Sequence, residues 1–218
     1  TYSFFYSHQI TSGEGGMVVC NNKKDYEILL ALRSHGWSRG KNVYAKNAKK
    51  YPNLDPRYIF INSGFNLRPT DIQAAIGRSQ FKRLDFFKKT RTMNKNKIIN
   101  SLVKDKRWKG QFKFVKYSKR INPSYMVLPI LLDIKFLNKK KKFINLIEKK
   151  GLETRPIISG SFVNQPSTKL YNLNPINKKF NGAQKVQDLG FVIGLSTKKI
   201  DKKKIDFVTN VLFLIDII

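Results

Sequence analysis

The sequence predicts an α/β protein made of two parts. Three patterns support this fold class. A glycine-rich turn near the beginning separates two short runs of β-forming residues, which is typical of a β-hairpin. Residues 70–104 carry apolar side chains at helical spacing. From residue 112 onward, strand-like and helix-like segments alternate, as they do in α/β domains.

The predicted hairpin is the first element of the chain. Its strands are the aromatic run Tyr2–Tyr6 and the apolar run Met17–Cys20. Gly13–Gly16 forms the turn, where glycine adopts backbone angles that residues with side chains resist. Ser7 and His8 lie at the polar corner after the first strand. His8 is therefore a titratable group at the end of a rigid strand, where catalytic groups are often placed.

A helix capped by Asn22 and ended by Gly36 is predicted next. Asp25 lies in its first turn, where a carboxylate is favourable near the positive end of the helix dipole. His35 lies at its end and is a candidate for proton transfer, because an imidazole titrates near neutral pH. The alternative for His35 is a plain surface histidine. The apolar side of this helix consists of Tyr26, Ile28, Leu29 and Leu32.

Residues 38–62 are predicted to form a long loop, because they are polar and contain Pro52 and Pro56. Loops of this length are uncommon unless they have a function. Within the loop, Ile59–Ile61 is predicted to be a short strand.

The segment Gly64–Asp71 is a candidate anion site. Asn66 offers an amide and Arg68 a guanidinium, just before a helix that Thr70 can cap. A helix start beside an arginine favours the binding of anions. The alternative is an ordinary loop with one surface arginine.

The helical pattern from Thr70 to Lys104 is long, so a break is predicted within Lys88–Asn96. The domain boundary is placed there, between residues 92 and 93. Residues 1–92 form the first part and residues 93–218 the second.

The second part is predicted to be a small α/β domain. Its predicted strands are residues 112–117, 124–132, 152–158 and 191–195. Asn138 is predicted to cap a helix that ends at Gly151, and Asp201 to cap the last helix. A short helix over residues 181–189 follows the predicted loop at residues 159–180. The buried stripe of the last helix consists of Ile205, Val208, Val211, Leu212 and Ile215.

Composition bounds the possible functions. The formal net charge is +29, from 43 lysine and arginine residues against 14 acidic ones. Such a charge is typical of proteins that bind nucleic acid or anionic membranes. However, the lysines are spread along the whole chain and no nucleic-acid motif is present, so we expect neither partner. Cys20 is the one cysteine, which excludes a disulfide within the chain and fits a cytoplasmic protein.

No apolar stretch is long enough to span a membrane, and no signal peptide is visible. The sequence begins with Thr1 inside a predicted strand rather than with a lead-in segment. We therefore expect it to be the C-terminal part of a longer protein.

The pattern Ser-x4-His-x-Ile-x-x-Gly-Glu-Gly-Gly, which starts at Ser3, resembles the DegT/DnrJ/EryC1/StrS family of pyridoxal-phosphate sugar aminotransferases. The phrases at residues 32–37 (LRSHGW) and 64–77 (GFNLRPTDIQAAIG) strengthen the resemblance, which covers nearly the whole chain. It implies the fold-type-I architecture of pyridoxal-phosphate enzymes. Residues 1–92 would be the end of the large cofactor-binding domain, and residues 93–218 the small C-terminal domain.

The resemblance also implies roles for individual residues. His8 occupies the slot where most of the family has the lysine that holds the cofactor covalently. An imidazole cannot form that imine, but it can transfer protons. The same replacement defines the nucleotide-sugar 3-dehydratase branch of the family. By resemblance, Ser3 and Asn66 bind the cofactor phosphate, Asn66 reaches it from the neighbouring subunit of a homodimer, and Arg68 lies in the same site.

Ser7, His35 and Arg155 are expected near the substrate. The glycine-threonine phosphate loop, the stacking aromatic and the ring-pairing aspartate of the family are absent from this sequence. We therefore expect the chain alone neither to bind pyridoxal phosphate tightly nor to turn over.

The implied reaction removes the C3 hydroxyl from a nucleotide-linked 4-keto-6-deoxy sugar, with GDP-4-keto-6-deoxymannose as the expected substrate. Pyridoxal phosphate and its pyridoxamine form would be the cofactor, and glutamate the amino donor, in the synthesis of a lipopolysaccharide or O-antigen sugar. A related branch with an iron–sulfur cluster needs four cysteines and is disfavoured. Two alternatives remain: a nucleotide-sugar aminotransferase, and a non-catalytic binding relative that uses the positive charge.

Overall fold

A computed structural model describes residues 1–38, 41–118, 120–174 and 176–218. The chain divides into two compact units, residues 1–84 and 85–218. The boundary predicted between residues 92 and 93 lies inside a continuous helix, Leu84–Lys104. The assignment of the two units to a large and a small domain of a longer protein stays a prediction. In the described ranges, no helix is both long and apolar enough to cross a membrane.

The predicted hairpin at the start of the first unit is confirmed, but its strands are shorter than expected. β1 (Tyr2–Ser3) pairs antiparallel with β2 (Gly16–Met17), with Tyr2 opposite Met17. The Phe4 amide extends the pairing with a 2.8 Å hydrogen bond to the Gly15 carbonyl. The chain then leaves the ladder through its polar corner.

The predicted helix after Asn22 is also confirmed. α1 spans Lys23–Arg33, and the Asn22 side chain accepts a 2.7 Å hydrogen bond from the Asp25 amide. Two residues of its apolar side, Tyr26 and Ile28, are exposed.

The prediction of a loop over residues 38–62 is wrong. The segment contains the helix α2 (Lys41–Lys50) and a 3-10 turn at Pro56–Tyr58, while residues 39–40 lie outside the described ranges. Lysine and alanine favour a helix, and both prolines lie beyond its end. Instead of a strand, Ile59–Ile61 forms a single bridge between Phe60 and Trp37.

Two helices replace the single broken helix predicted over residues 70–104. α3 spans Asp71–Phe81 and α4 spans Leu84–Lys104, so the break falls at residues 82–83 and the helix continues through Lys88–Asn96. The length of the pattern predicted the break, but α4 continues through it with Thr90 and Asn94 on its buried side.

The second unit is built around a four-stranded antiparallel sheet. Its strand order is β3-β4-β6-β5, and Leu128 lies opposite Ile193 in the central pair. The strands are β3 (Phe112–Phe114), β4 (Val127–Leu132), β5 (Thr154–Arg155) and β6 (Gly190–Gly194). The remaining helices are α5 (Lys140–Lys149), α6 (Pro166–Leu170), α7 (Asn181–Leu189) and α8 (Lys202–Leu212).

The core of the second unit lies between this sheet and its helices. Burial alternates along β4, so that Leu128, Ile130 and Leu132 face the core. The side chains that meet them come from α4, α5 and α8: Ile98, Leu102, Phe143, Ile147, Val211 and Leu212.

Three predictions about the second unit need correction. The helix predicted to start at Asn138 is instead a 3-10 helix, Ile134–Lys139, capped by Asp133, followed by α5. The loop predicted at residues 159–180 contains the 3-10 turn Phe162–Asn164 and α6. The Asp133 side chain caps the 3-10 helix through the Lys135 amide, and Pro166 starts α6. The strand predicted over residues 152–158 is reduced to β5.

Candidate active site

His8 lies in the polar corner of the hairpin, five residues after the end of β1. Its amide donates a 3.0 Å hydrogen bond to the Phe5 carbonyl, which closes the turn. Its half-buried ring packs edge-on against Phe5, with 5.7 Å between the ring centroids. The backbone and one aromatic neighbour therefore limit where the imidazole can point, while part of its surface stays accessible.

The two candidate serines lie on the same hairpin. Ser3 is exposed, and its hydroxyl oxygen accepts a 3.3 Å hydrogen bond from the Phe5 amide. Ser7 is exposed directly before His8. Because a serine hydroxyl can donate while it accepts, Ser3 can still donate to a phosphate oxygen.

Hydrogen bonds stabilise the glycine turn internally and join it to the first strand. The Ser12 hydroxyl donates to the Glu14 carbonyl at 2.7 Å, and the Ser12 amide donates to the Phe4 carbonyl at 2.9 Å. Gly13 and Gly15 have φ values of 84° and 145°, which residues with side chains rarely adopt. This geometry explains why the turn is rich in glycine.

The segment that carries Asn66 is fastened to the end of α1. The amides of Phe65 and Leu67 donate to the carbonyls of Leu32 and Arg33, at 2.7 and 2.9 Å. These carbonyls would otherwise lack partners at the helix terminus. The His35 amide returns a 2.8 Å hydrogen bond to the Phe65 carbonyl. The end of α1 therefore fixes the backbone on both sides of Asn66.

Two glycines make this close approach possible. A Cβ atom added to Gly64 would run into the backbone of Leu32, His35 and Gly36, and one added to Gly36 would run into the backbone of Asn62. His35 has a φ of 64° and an exposed side chain. The tight turn that contacts the Asn66 segment therefore explains the backbone conformation of His35.

Asn66 and Arg68 present exposed side chains just before α3. The Arg68 Nε atom lies 3.4 Å from Asn66 Oδ1, a long hydrogen bond that leaves the rest of the guanidinium available. Thr70 caps α3 as predicted.

Gln73, which the sequence analysis did not single out, completes a reciprocal capping box with Thr70. Its Nε2 atom also donates a 3.1 Å hydrogen bond to the Glu14 carbonyl in the glycine turn. The Thr-x-x-Gln spacing could have predicted the cap, but not the bond to a residue 59 positions away. Gln73 therefore joins the helix that follows Asn66 and Arg68 to the hairpin that carries His8.

Arg155 is the one predicted site residue in the second unit. It lies on β5, where its guanidinium pairs with Glu153 at 2.8 Å, and both side chains are more than three-quarters exposed. An exposed pair of this kind contributes little to stability, so Arg155 is available for another partner. Its place near the substrate stays a prediction.

The residues of the first unit fit the phosphate end of pyridoxal phosphate. A hydroxyl, an amide and a guanidinium are donors that suit a phosphate group. No lysine occurs in the sequence before Lys23, so the hairpin offers a histidine and no amine for covalent attachment.

A sequence profile of the DegT/DnrJ/EryC1/StrS aminotransferase family matches residues 1–212. The chain belongs to this family, as its motifs predicted. The chain is 28% identical over 204 residues to GDP-4-keto-6-deoxy-D-mannose 3-dehydratase from Escherichia coli O55:H7. That alignment covers 89% of this chain and 49% of the relative. The chain is also 30% identical over 179 residues to GDP-perosamine synthase from Escherichia coli O157:H7, in an alignment that covers 81% of this chain and 42% of that relative.

A solved structure of the E. coli GDP-4-keto-6-deoxy-D-mannose 3-dehydratase, with bound hydrated pyridoxal phosphate, superposes with a TM-score of 0.78. The alignment covers 96% of this chain and 53% of that chain, at 24% identity. The likeness confirms the predicted fold class, an α/β fold of the fold-type-I pyridoxal-phosphate enzymes. The chain spans about half the length of the curated relatives that it matches.

Proposed function

We propose that the protein to which this chain belongs removes the C3 hydroxyl from a nucleotide-linked 4-keto-6-deoxy sugar. The observation that carries the proposal is His8, at the position where a lysine would otherwise hold the cofactor. A lysine serves both as a tether and as a proton carrier, whereas a histidine keeps only the second role. Loss of the tether favours a reaction that starts from the untethered amine form of the cofactor.

The proposed cofactor is pyridoxal phosphate, used as pyridoxamine phosphate. When bound, it supplies an amine and an electron-withdrawing ring. Ser3 binds its phosphate in this proposal, and Asn66 and Arg68 do so across the interface of a homodimer. The hydrogen bonds at the end of α1 support this role, because they hold Asn66 in one backbone position.

His8 transfers the protons in the proposed reaction. As a base, its neutral imidazole takes up one proton, and as an acid it delivers a proton to the departing C3 oxygen, which leaves as water. One imidazole near neutral pH can do both in turn, and such catalysis accelerates reactions by roughly 10²–10⁴-fold. Its partly accessible ring supports this role, since a buried imidazole could not reach a sugar.

The proposed substrate is GDP-4-keto-6-deoxymannose, and glutamate is the proposed amino donor. Ser7, His35 and Arg155 are proposed to lie near the sugar nucleotide or the donor. The support for the substrate is the 28% identity to a dehydratase named for it. The product would serve the synthesis of a lipopolysaccharide or O-antigen sugar in the cytoplasm.

The test uses the full-length gene product. It is incubated with pyridoxal phosphate, glutamate and GDP-4-keto-6-deoxymannose, and the mass of the sugar product is measured. We expect a product that lacks one oxygen, together with ammonia and 2-oxoglutarate. His8→Asn, which removes the proton carrier at similar size, should lower the rate by roughly 10²–10⁴-fold.

An amino sugar as the product would show that the dehydratase proposal is wrong. That outcome would favour an aminotransferase, a second candidate supported by the 30% identity to a GDP-perosamine synthase. His8→Lys separates the two further. It restores a tether, so it should trap the cofactor covalently and slow dehydration, whereas an aminotransferase should gain activity from it.

A further inference from the structure

Hydrogen bonds at both the oxygen and the nitrogen of its side-chain amide hold Gln73 in one orientation. Its Oε1 atom accepts a 2.9 Å hydrogen bond from the Thr70 amide, and its Nε2 atom donates to the Glu14 carbonyl at 3.1 Å. Only the oxygen can accept and only the nitrogen can donate, so the two partners determine which way the amide points. Breaking either bond would free the other end.

The Glu14 carbonyl is the point at which α3 meets the glycine turn. It accepts hydrogen bonds from both the Ser12 hydroxyl and Gln73. One helical turn after Gln73, a Cβ atom on Gly77 would lie 3.7 Å from the Ser12 Cβ atom. Residues four apart share a helix face, so the face of α3 with Gln73 and Gly77 lies against the turn.

Two hydrogen bonds connect the glycine turn to the strand before His8. The Phe4 amide bonds to the Gly15 carbonyl, and the Phe4 carbonyl accepts from the Ser12 amide. His8 follows four residues later, in the turn closed by its own bond to the Phe5 carbonyl. A shift of the glycine turn would therefore move the backbone that presents the imidazole.

We propose that Gln73 is a positioning residue for His8, acting through the Glu14 carbonyl. It holds the glycine turn, and with it the strand before the imidazole, against the start of α3, which the same side chain caps. This inference rests on the proposed function for its catalytic meaning. The contact between Gln73 and the Glu14 carbonyl can be tested without measuring enzyme activity.

The test variant is Gln73→Glu in the full-length protein. Glutamate keeps the acceptor for the Thr70 amide and is a normal capping-box residue, so α3 stays capped. It loses the donor to the Glu14 carbonyl. Ala74→Glu is the matched control, because it adds the same charge at the next, exposed position without facing the turn.

The first readout is the rate at which diethyl pyrocarbonate modifies each histidine, followed by peptide mass. We expect Gln73→Glu to speed the modification of His8 at least threefold and to leave His35 unchanged, as an internal control. The Phe4 and Ser12 amides should exchange hydrogen roughly tenfold faster, which corresponds to one lost hydrogen bond. Ala74→Glu should match the wild type in both. Unchanged His8 reactivity and exchange would overturn the inference.

The second readout is the rate of the proposed reaction. Gln73→Glu should lower kcat roughly tenfold and change KM for the sugar nucleotide by less than about threefold. In a His8→Asn background it should have no further effect. A loss of the same size in that background would show that Gln73 does not act through His8. If the wild type is inactive while His8 reactivity still responds, the proposed function fails and the positioning contact stands.

Discussion

Two glycines at the end of α1 are important because they have no side chain. Gly64 and Gly36 bring the backbone at residues 62–67 into contact with the helix end. Since the neighbours are backbone atoms, they cannot move aside as a flexible side chain would. The segment that presents Asn66 and Arg68 is therefore sensitive to one added methyl group.

Gly64→Ala should loosen this segment. Overpacking of this kind costs about 1–3 kcal/mol. We therefore expect roughly ten- to hundredfold faster hydrogen exchange at the amides of His35, Phe65 and Leu67 in the full-length protein. Gly77→Ala is the control, since its new methyl group meets Ser12 at an ordinary 3.7 Å inside α3. The explanation is wrong if both variants exchange alike.

Residue types predicted the site in part. The serine, histidine and glycine spacing of residues 3–16 and the phrase at residues 64–77 pointed to the hairpin and to the Asn66 segment. The bond between Gln73 and Glu14 could not be predicted, because it joins elements 59 residues apart and depends on their packing. The same holds for the contact between Gly36 and Gly64. Spacing identifies chemistry within an element, and the tertiary fold decides which elements meet.

Among the elements, α7 and α8 followed the sequence closely. α7 spans the predicted residues 181–189, and Asp201 caps α8 through the Lys204 amide at 2.8 Å. α2 was not predicted, because Pro52 and Pro56 are typical of a loop, although both lie beyond the run of helix formers. In α4, the polar residues on the buried side broke the apolar pattern. The caps at Asn22, Thr70 and Asp201 could thus be predicted from sequence, whereas the cap at Asn138 was wrong and the burial of a polar residue that satisfies backbone groups was not predicted.

Asn94 shows what such a buried polar residue does. Its Nδ2 atom donates to the carbonyls of Ser196 and Lys198, at 3.0 and 2.8 Å, and its Oδ1 atom accepts from the Ile200 amide at 3.2 Å. The side chain is fully buried. It thereby fastens the connection between β6 and α8 to the middle of α4.

Asn94→Leu should destabilise the second unit. An unsatisfied buried polar group costs about 1–3 kcal/mol, so the loss of three bonds should lower the free energy of unfolding by at least ~2 kcal/mol. Urea denaturation followed by circular dichroism measures the change. Asn96→Leu, on an exposed position of the same helix, should stay within ~0.5 kcal/mol of the wild type. Equal effects of the two variants would contradict this role of Asn94.

At the scale of the whole molecule, the two units differ in how much apolar surface they bury. The second unit has a continuous core between its sheet and helices. In the described part of the first unit, Ala31 and Ile59 are the buried apolar residues, while Tyr6, Phe60 and other large side chains are exposed. Hydrophobic burial is the main favourable contribution to folding. We therefore expect a hydrophobic core to stabilise the second unit but not the first.

Residues 85–218, expressed alone, should unfold in one cooperative thermal transition, and residues 1–84 should show none. The reason is that apolar burial must exceed the entropy lost on ordering the chain, and the first unit buries too little. Phe143→Ala, which removes a fully buried ring, should lower the stability of the 85–218 fragment by about 3–5 kcal/mol. That loss would show that the transition reports the core. A cooperative transition in residues 1–84 would mean that the hydrogen bonds around α1, α3 and the hairpin stabilise the candidate site without a large core.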